Sequence, residues 1–274
     1  MSNCIPGGNE KPIAFLDSGI GGLPYLLWCK KNLSKELFLY FADRRHFPYG
    51  EKSVTEIKTI VIDLAGKIIH HFSPKIVVVA CNTASVVALH ELRERYSVPF
   101  IGVVPAVKSA SAFSKKRKVG VLGSSRTVEN DYTERLISDF ASDCTVSVMS
   151  GHKIIDFVEN KYLSASAREK ERAVQPIADY CRDKDIDALV LGCTHFIFLN
   201  DVFQKSCGGK VLVIDSVEGV GKQVVRIAEK IGLRAEKKDR DIHRFYHSGD
   251  EDCIPPYKEY AERFGLTYCG GCAW

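Results

Sequence analysis

The chain has 274 residues, 45% of them hydrophobic and 26% charged, which excludes a disordered protein and suits one large or two modest globular domains. Its formal charge of +4 is too small and too dispersed to call for a nucleic acid partner. No apolar run approaches the ~18 residues needed to cross a bilayer, so no membrane span is expected.

Residues 1–12 lack a hydrophobic signal core and read as a short loose tail. With no export signal, the ten cysteines are expected to be reduced thiols and the chain cytoplasmic. The apolar run Ile13-Ala14-Phe15-Leu16 reads as a strand. It leads into Asp17-Ser18-Gly19-Ile20-Gly21-Gly22, a turn of small residues that lets backbone N–H groups approach a carboxylate or phosphate. The glycine spacing is not that of a dinucleotide site. Asp17, at the strand end, suits binding an ammonium group, orienting a thiol or capping the next helix.

A helix is predicted from Ser53, with Glu56 completing a capping box and Ile57, Ile60, Val61, Leu64 and Ile68 forming its apolar face. It ends before Pro74, with His70 and His71 on the surface of its last turn. The strand Ile76–Ala80 runs into Cys81, and a helix capped by Asn82 or Thr83 follows. Lys115-Lys116-Arg117-Lys118 reads as a solvated loop. Further helices are predicted at 167–181 and 218–231, the latter stopped by Gly232, around the strand Ala188–Leu191. Strands and helices that alternate throughout, with strands apolar on both faces, define an α/β fold built on parallel sheets.

A weak internal repeat organises these elements. Strand ends at Asp17-Ser18-Gly19, Cys81-Asn82-Thr83 and Val103-Val104-Pro105 are answered by Gly123-Ser124-Ser125, Cys193-Thr194-His195 and Asp215-Ser216. The spacing of 24 residues from Cys81 to Pro105 nearly matches the 22 from Cys193 to Asp215. Two similar parallel-sheet domains related by a pseudo-twofold are therefore expected, residues 1–105 with 217–274 and residues 106–216, with the active site in the cleft between them. Buried strands also resemble one another by composition alone, which is the competing explanation of the repeat.

Cys81 and Cys193 each end a strand and precede a helix start. There the unpaired N–H groups and the helix dipole favour thiolate and pull the pKa below its usual ~8.5. His195, two residues beyond Cys193, can exchange a proton with it. Free cysteines are otherwise most often small buried hydrophobes. Two thiols on opposite walls of a cleft suit inversion of a carbon centre, one removing a proton and the other returning one, with no redox cofactor. Disulfide exchange would need the sulfurs in contact. Cys269-Gly270-Gly271-Cys272, with His243, His247 and Cys253, offers donors for a metal. The glycines and the terminal Trp274 favour a frayed tail, and no metal is expected.

The motifs Phe15 to Leu23, Phe41-Ala42-Asp43, Phe47-Pro48-Tyr49-Gly50-Glu51-Lys52, Ala80 to Ala84 and Leu191 to His195 together resemble glutamate racemase of the aspartate/glutamate racemase superfamily. The resemblance runs from about residue 12 to about 250, through Arg244-Phe245-Tyr246 and Gly249-Asp250. It implies a cofactor-independent isomerase that interconverts L- and D-glutamate and supplies D-glutamate for peptidoglycan. It further implies that Cys81 takes the α-proton from D-glutamate, assisted by Asp17, and Cys193 takes it from L-glutamate, assisted by His195. Asp17, Ser18, Tyr49, Gly50, Asn82, Thr83, Thr194 and His195 would bind the substrate, with Asp43 and Glu159 as accessory acids. Aspartate racemases tend to carry Glu at the position of His195. Pro24-Tyr25 departs from the family pattern and bears on local packing. The resemblance also implies a homodimer with a small-molecule substrate. A binding protein on the same scaffold, without turnover, is the alternative from another class.

Overall fold

A computed structural model describes residues 11–128, 131–232, 243–249 and 257–272; the opening tail, Asp250, Cys253 and Trp274 lie outside the described residues. The chain divides into two compact units, with breaks at Val103–Val104 and Ser216–Val217.

The first unit opens with β1 (Ile13–Asp17), α1 (Leu23–Asn32), β2 (Phe38–Ala42), α2 (Val54–Phe72), β3 (Ile76–Val79), α3 (Asn82–Arg95) and β4 (Phe100–Gly102). The second unit holds α4 (Val107–Phe113), β5 (Lys118–Gly123), α5 (Ser125–Val128), α6 (Asp131–Phe140), β6 (Thr145–Ser150), α7 (His152–Asn160), α8 (Ala167–Asp183), β7 (Ala188–Leu191), α9 (Asn200–Ser206) and β8 (Leu212–Ile214). The chain then returns to the first unit as α10 (Val217–Lys230), β9 (Arg244–His247), α11 (Tyr257–Arg263) and β10 (Thr267–Gly271).

Both sheets are wholly parallel, in the orders β10-β9-β2-β1-β3-β4 and β6-β5-β7-β8. Helices therefore cover their faces, and β1, β2, β3 and β7 are buried along their whole length. On one face of the first sheet, Ala14, Leu16, Leu39, Phe41, Val77 and Val79 pack against Ile57, Val61, Ala65 and Ile68 of α2. The capping box that starts α2 is formed: Ser53 accepts from the Glu56 N–H, and the Glu56 carboxylate accepts from the Ser53 N–H. Ser73 then closes the helix in the left-handed region with φ 44°. An equivalent box, Ser166 with Glu169, opens α8.

Two sequence expectations are corrected, and one on the basic run 115–118 holds. The C-terminal cysteine pair is not on a frayed tail, because Thr267–Gly271 is the edge strand of the first sheet. Its support is aromatic: Phe245 of β9 lies between Tyr40 and Tyr268, stacked on both with ring centroids 5.2 and 6.2 Å away. Lys115–Arg117 is the expected solvated loop, ending where Lys118 opens β5; Lys116 and Lys118 pair with Asp185, and Arg117 pairs with Asp143. The cap of α3 is Cys81 itself; Asn82 and Thr83 are the first helical residues. Pro24 sits in the first turn of α1, where its missing N–H is harmless, and Tyr25 is fully buried. Among the described residues no helix is long and apolar enough to cross a membrane.

Candidate active site

Parallel sheets bind ligands at the carboxyl ends of their strands, where successive connections leave a central strand in opposite directions. In the first sheet that point lies between β1 and β3, and in the second between β5 and β7. Cys81 follows the end of β3 and Cys193 follows the end of β7. The two environments share their backbone pairing. The Ala80 N–H donates to Leu16 O at 2.7 Å, and the Gly192 N–H donates to Leu122 O at 2.7 Å. Each thiol is thus the next residue after the last bond of its strand, at the open end of a switch point. Cys81 precedes the N-terminal turn of α3, and Cys193 that of a 3₁₀ segment, Thr194–Leu199.

Glycine is required at two of these junctions. A Cβ on Gly22 would lie 2.6 Å from the Ala80 Cβ, so only glycine lets the first turn of α1 rest on the end of β3. One on Gly192 would lie 2.8 Å from Leu122 O.

In the first unit, Asp17 is fully buried at the end of β1 and its Oδ1 accepts from the Gly19 N–H at 2.7 Å. That bond turns the chain within the small-residue loop; the position before α1 is Gly22, so Asp17 does not cap that helix. Ser18 Oγ donates to Asp17 Oδ1 at 3.4 Å and lies 4.0 Å from Cys81 Sγ. Asp17, Ser18 and Cys81 therefore form one cluster.

A second cluster lies in the loop after β2. Asp43 is buried, and it accepts from Tyr49 Oη at 2.6 Å, from Ser248 Oγ at 2.5 Å and contacts His46 Nδ1 at 2.9 Å. Tyr49 and Gly50 belong to a 3₁₀ turn, Tyr49–Glu51. Burial, then the Asp43 carboxylate, then the negative charge of Cys81 and Asp17 push the Tyr49 phenol well above its ordinary range. Tyr49 is thereby a permanent donor that joins the two clusters electrostatically. Asn82 is buried at the start of α3 with both amide atoms, Oδ1 and Nδ2, lacking a hydrogen-bond partner among the described residues. An orphaned amide is costly to bury and marks a position built to pair with something polar.

In the second unit, His195 Nδ1 lies 3.8 Å from Cys193 Sγ and its Nε2 lies 2.8 Å from Glu159 Oε2. Glu159, on α7, is fully buried, and His195 nearly so. Burial alone would pull the imidazole down. The hydrogen bonds to Cys193 and Glu159 and the Glu159 charge outweigh it, so His195 stands well above its ordinary pKa. The order thiol, imidazole, carboxylate is the relay by which a base is oriented by a third group. Thr194 is buried beside Cys193.

His46 and Ser248 join this cluster although neither is among the site residues expected from the sequence. The spacing of His46 from Asp43 was a local signal; Ser248 reaches Asp43 from 205 residues away, which only folding arranges. His243 and His247, considered as metal donors, are used otherwise. His243 Nδ1 accepts from the Phe38 N–H at 3.3 Å, and His247 stacks on Tyr268 with Nε2 2.8 Å from its hydroxyl. Among the described residues no cluster of His, Cys, Asp and Glu is arranged to hold a metal.

The Asp/Glu/Hydantoin racemase family matches residues 30–222, and the chain belongs to it. Its relatives narrow the comparison to one branch. It is 37% identical to the glutamate racemase of Treponema pallidum (strain Nichols) over 94% of this chain and 95% of that one. It is 38% identical to that of Shewanella denitrificans over 81% and 79%. Among solved structures, Escherichia coli glutamate racemase in complex with L-glutamate and activator UDP-MurNAc-Ala superposes with a TM-score of 0.84 at 29% identity, covering 96% of this chain and 98% of that one. Glutamate racemase isoform RacE1 from Bacillus anthracis gives 0.80 at 30% identity, with 97% and 98% covered.

Proposed function

We propose that this isomerase is a glutamate racemase that inverts the α-carbon by proton transfer through two thiols, Cys81 and Cys193, without a cofactor. The observation that carries the reading is the recurrence of a thiol at the switch point of each parallel sheet, each with its own acid partner set. Relatives at 37–38% identity bear the name glutamate racemase, and the E. coli protein is described in complex with L-glutamate.

The chemistry assigns the parts as follows. Cys193, as thiolate beside the His195 imidazolium, removes the α-proton of L-glutamate, and Cys81 returns a proton on the opposite face. In the reverse direction Cys81 is the base, with Asp17 reaching it through Ser18. General acid–base transfer contributes about 10²–10⁴-fold. The α-hydrogen of an amino acid is only weakly acidic, so the charge that develops on the carboxylate needs fixed donors as well. The Asn82 amide, the first N–H groups of α3 and of the 3₁₀ segment, and the Thr83 and Thr194 hydroxyls supply them. Tyr49 and Gly50 complete the substrate contacts, and Asp43 holds Tyr49 in place. Supply of D-glutamate for peptidoglycan, a cytoplasmic location and a homodimer rest on the family resemblance.

The test is transfer of solvent deuterium into the α-position together with loss of optical activity, for L- and D-glutamate. The full chain should do both, Cys81→Ala and Cys193→Ala should lose inversion, and aspartate should turn over far more slowly. Binding of glutamate without exchange, or inversion that survives loss of either thiol, would overturn the proposal.

A further inference from the structure

Within β2, Phe38-Leu39-Tyr40-Phe41-Ala42, a single side chain brings a hydroxyl into the first core. Leu39 and Phe41 face α2, so Tyr40 between them points to the opposite face of the sheet. Tyr40 is fully buried, and its ring stacks on Phe245 with centroids 5.2 Å apart. Its hydroxyl reaches the turn that follows β1. Tyr40 Oη donates to Gly19 O at 2.9 Å and accepts from the Gly22 N–H at 3.0 Å.

Glycine has no side chain to limit its backbone, so the bonds made by Gly19 decide how the turn runs. Gly19 is held from both sides: its N–H donates to Asp17 Oδ1 at 2.7 Å, and its carbonyl accepts from Tyr40. Ser18, between Asp17 and Gly19, places its Oγ 3.4 Å from Asp17 Oδ1 and 4.0 Å from Cys81 Sγ. The far end of the turn, Gly22, rests on Ala80, the residue before Cys81. One phenol thus ties two points of the turn together next to the strand end that bears the thiol.

We infer that Tyr40 is a positioning residue for the Cys81 half of the reaction, its hydroxyl setting the turn that places Asp17 and Ser18 beside the thiol. This role rests on the two-thiol reading for its kinetic consequence, and not for its effect on the thiol itself. A buried tyrosine hydroxyl finds a partner in most cores. Stacking on Phe245 needs only the ring, which phenylalanine would supply; the hydroxyl is what reaches the turn.

The test compares Tyr40→Phe, which keeps the ring, with Phe245→Leu, which removes its stacking partner and leaves the hydroxyl. Each full-length variant is treated with iodoacetamide, and the rates at Cys81 and Cys193 are followed by peptide mass spectrometry. Loosening the turn uncovers a thiol that is only 6% exposed and lets the buried Asp17 carboxylate move away from it. Both changes favour attack by the thiolate. Tyr40→Phe should therefore raise the Cys81 rate roughly two- to tenfold, the worth of about one neutral hydrogen bond, with Cys193 unchanged. Phe245→Leu should lower Tm and leave both rates as they were. With α-deuterated substrates, Tyr40→Phe should enlarge the isotope effect on kcat/KM for D-glutamate, whose proton Cys81 takes. It should shrink that for L-glutamate, because the Cys81 step becomes the slow one. A merely structural loss would lower both rates and leave the isotope effects unaltered. The inference is overturned by a Tyr40→Phe chain that does not fold, that labels Cys81 no more selectively than before, or that is active with unaltered isotope effects. It is overturned equally if Phe245→Leu reproduces the Cys81 labelling. Selective labelling of Cys81 in a chain that never exchanges the α-proton would sink the racemase reading instead and leave the placing of the turn by Tyr40 standing.

Discussion

Glu159→Gln isolates the relay behind Cys193. The substitution keeps the size of a fully buried side chain 2.8 Å from His195 Nε2 and removes its charge. Two things then weaken the imidazolium: the loss of a hydrogen bond to a charged acceptor, worth about 1.5–3 kcal/mol, and the loss of the attraction that offsets burial. At ~1.4 kcal/mol per decade the His195 imidazolium becomes roughly 10- to 100-fold easier to deprotonate. The sign with pH follows. His195 is held above its ordinary value partly by Glu159, so without that carboxylate it deprotonates at lower pH, and the alkaline limb of kcat/KM moves to lower pH. Enantiomers have equal free energies in water, so the two directions must lose kcat/KM by the same factor although only the Cys193 side is altered. Circular dichroism progress curves with L- and with D-glutamate across pH measure all three quantities. Activity within about twofold of the unaltered chain with an unshifted alkaline limb would refute the relay.

Other substitutions test the scaffold around the two clusters. Ser248→Ala removes one of the donors on Asp43, a bond to a charged group worth about 1.5–3 kcal/mol, and should lower kcat/KM by loosening Tyr49; steady-state kinetics beside a thermal melt separates that from unfolding. Gly22→Ala forces a methyl against Ala80 and should cost ~1–3 kcal/mol, read as a lowered Tm. Lys75→Met deprives buried Glu36 of its ion-pair partner and should cost about 3–5 kcal/mol, while Lys75→Met with Glu36→Leu should recover most of it; urea unfolding of both variants checks the difference.

The C-terminal segment and the relay mark where sequence reading ends. The capping box at Ser53 was legible because both its bonds lie within four residues, and the strand at Ile76–Val79 because burial on both faces leaves an unbroken apolar run. Thr267–Gly271 was not, because two glycines give a strand no local preference. Its order comes from bonds to β9 and from the stacked rings of Phe245 and Tyr268. The basic run at 115–117 is legible as a solvated loop, but its pairing with Asp143 and Asp185 is not, since those carboxylates come from distant parts of the chain.

By itself, then, the order of residues determined the alternation of parallel strands and helices and the placing of Cys81 and Cys193 at strand ends. Those are consequences of side-chain periodicity and of charges on neighbouring peptide groups. Only the tertiary structure decided that Glu159 meets His195, that Ser248 and Tyr49 share Asp43, and that the Asn82 amide has no hydrogen-bond partner among the described residues. Each is a contact, or the lack of one, between buried polar groups far apart in the chain. Its energy depends on distances of a few ångströms that no local pattern encodes.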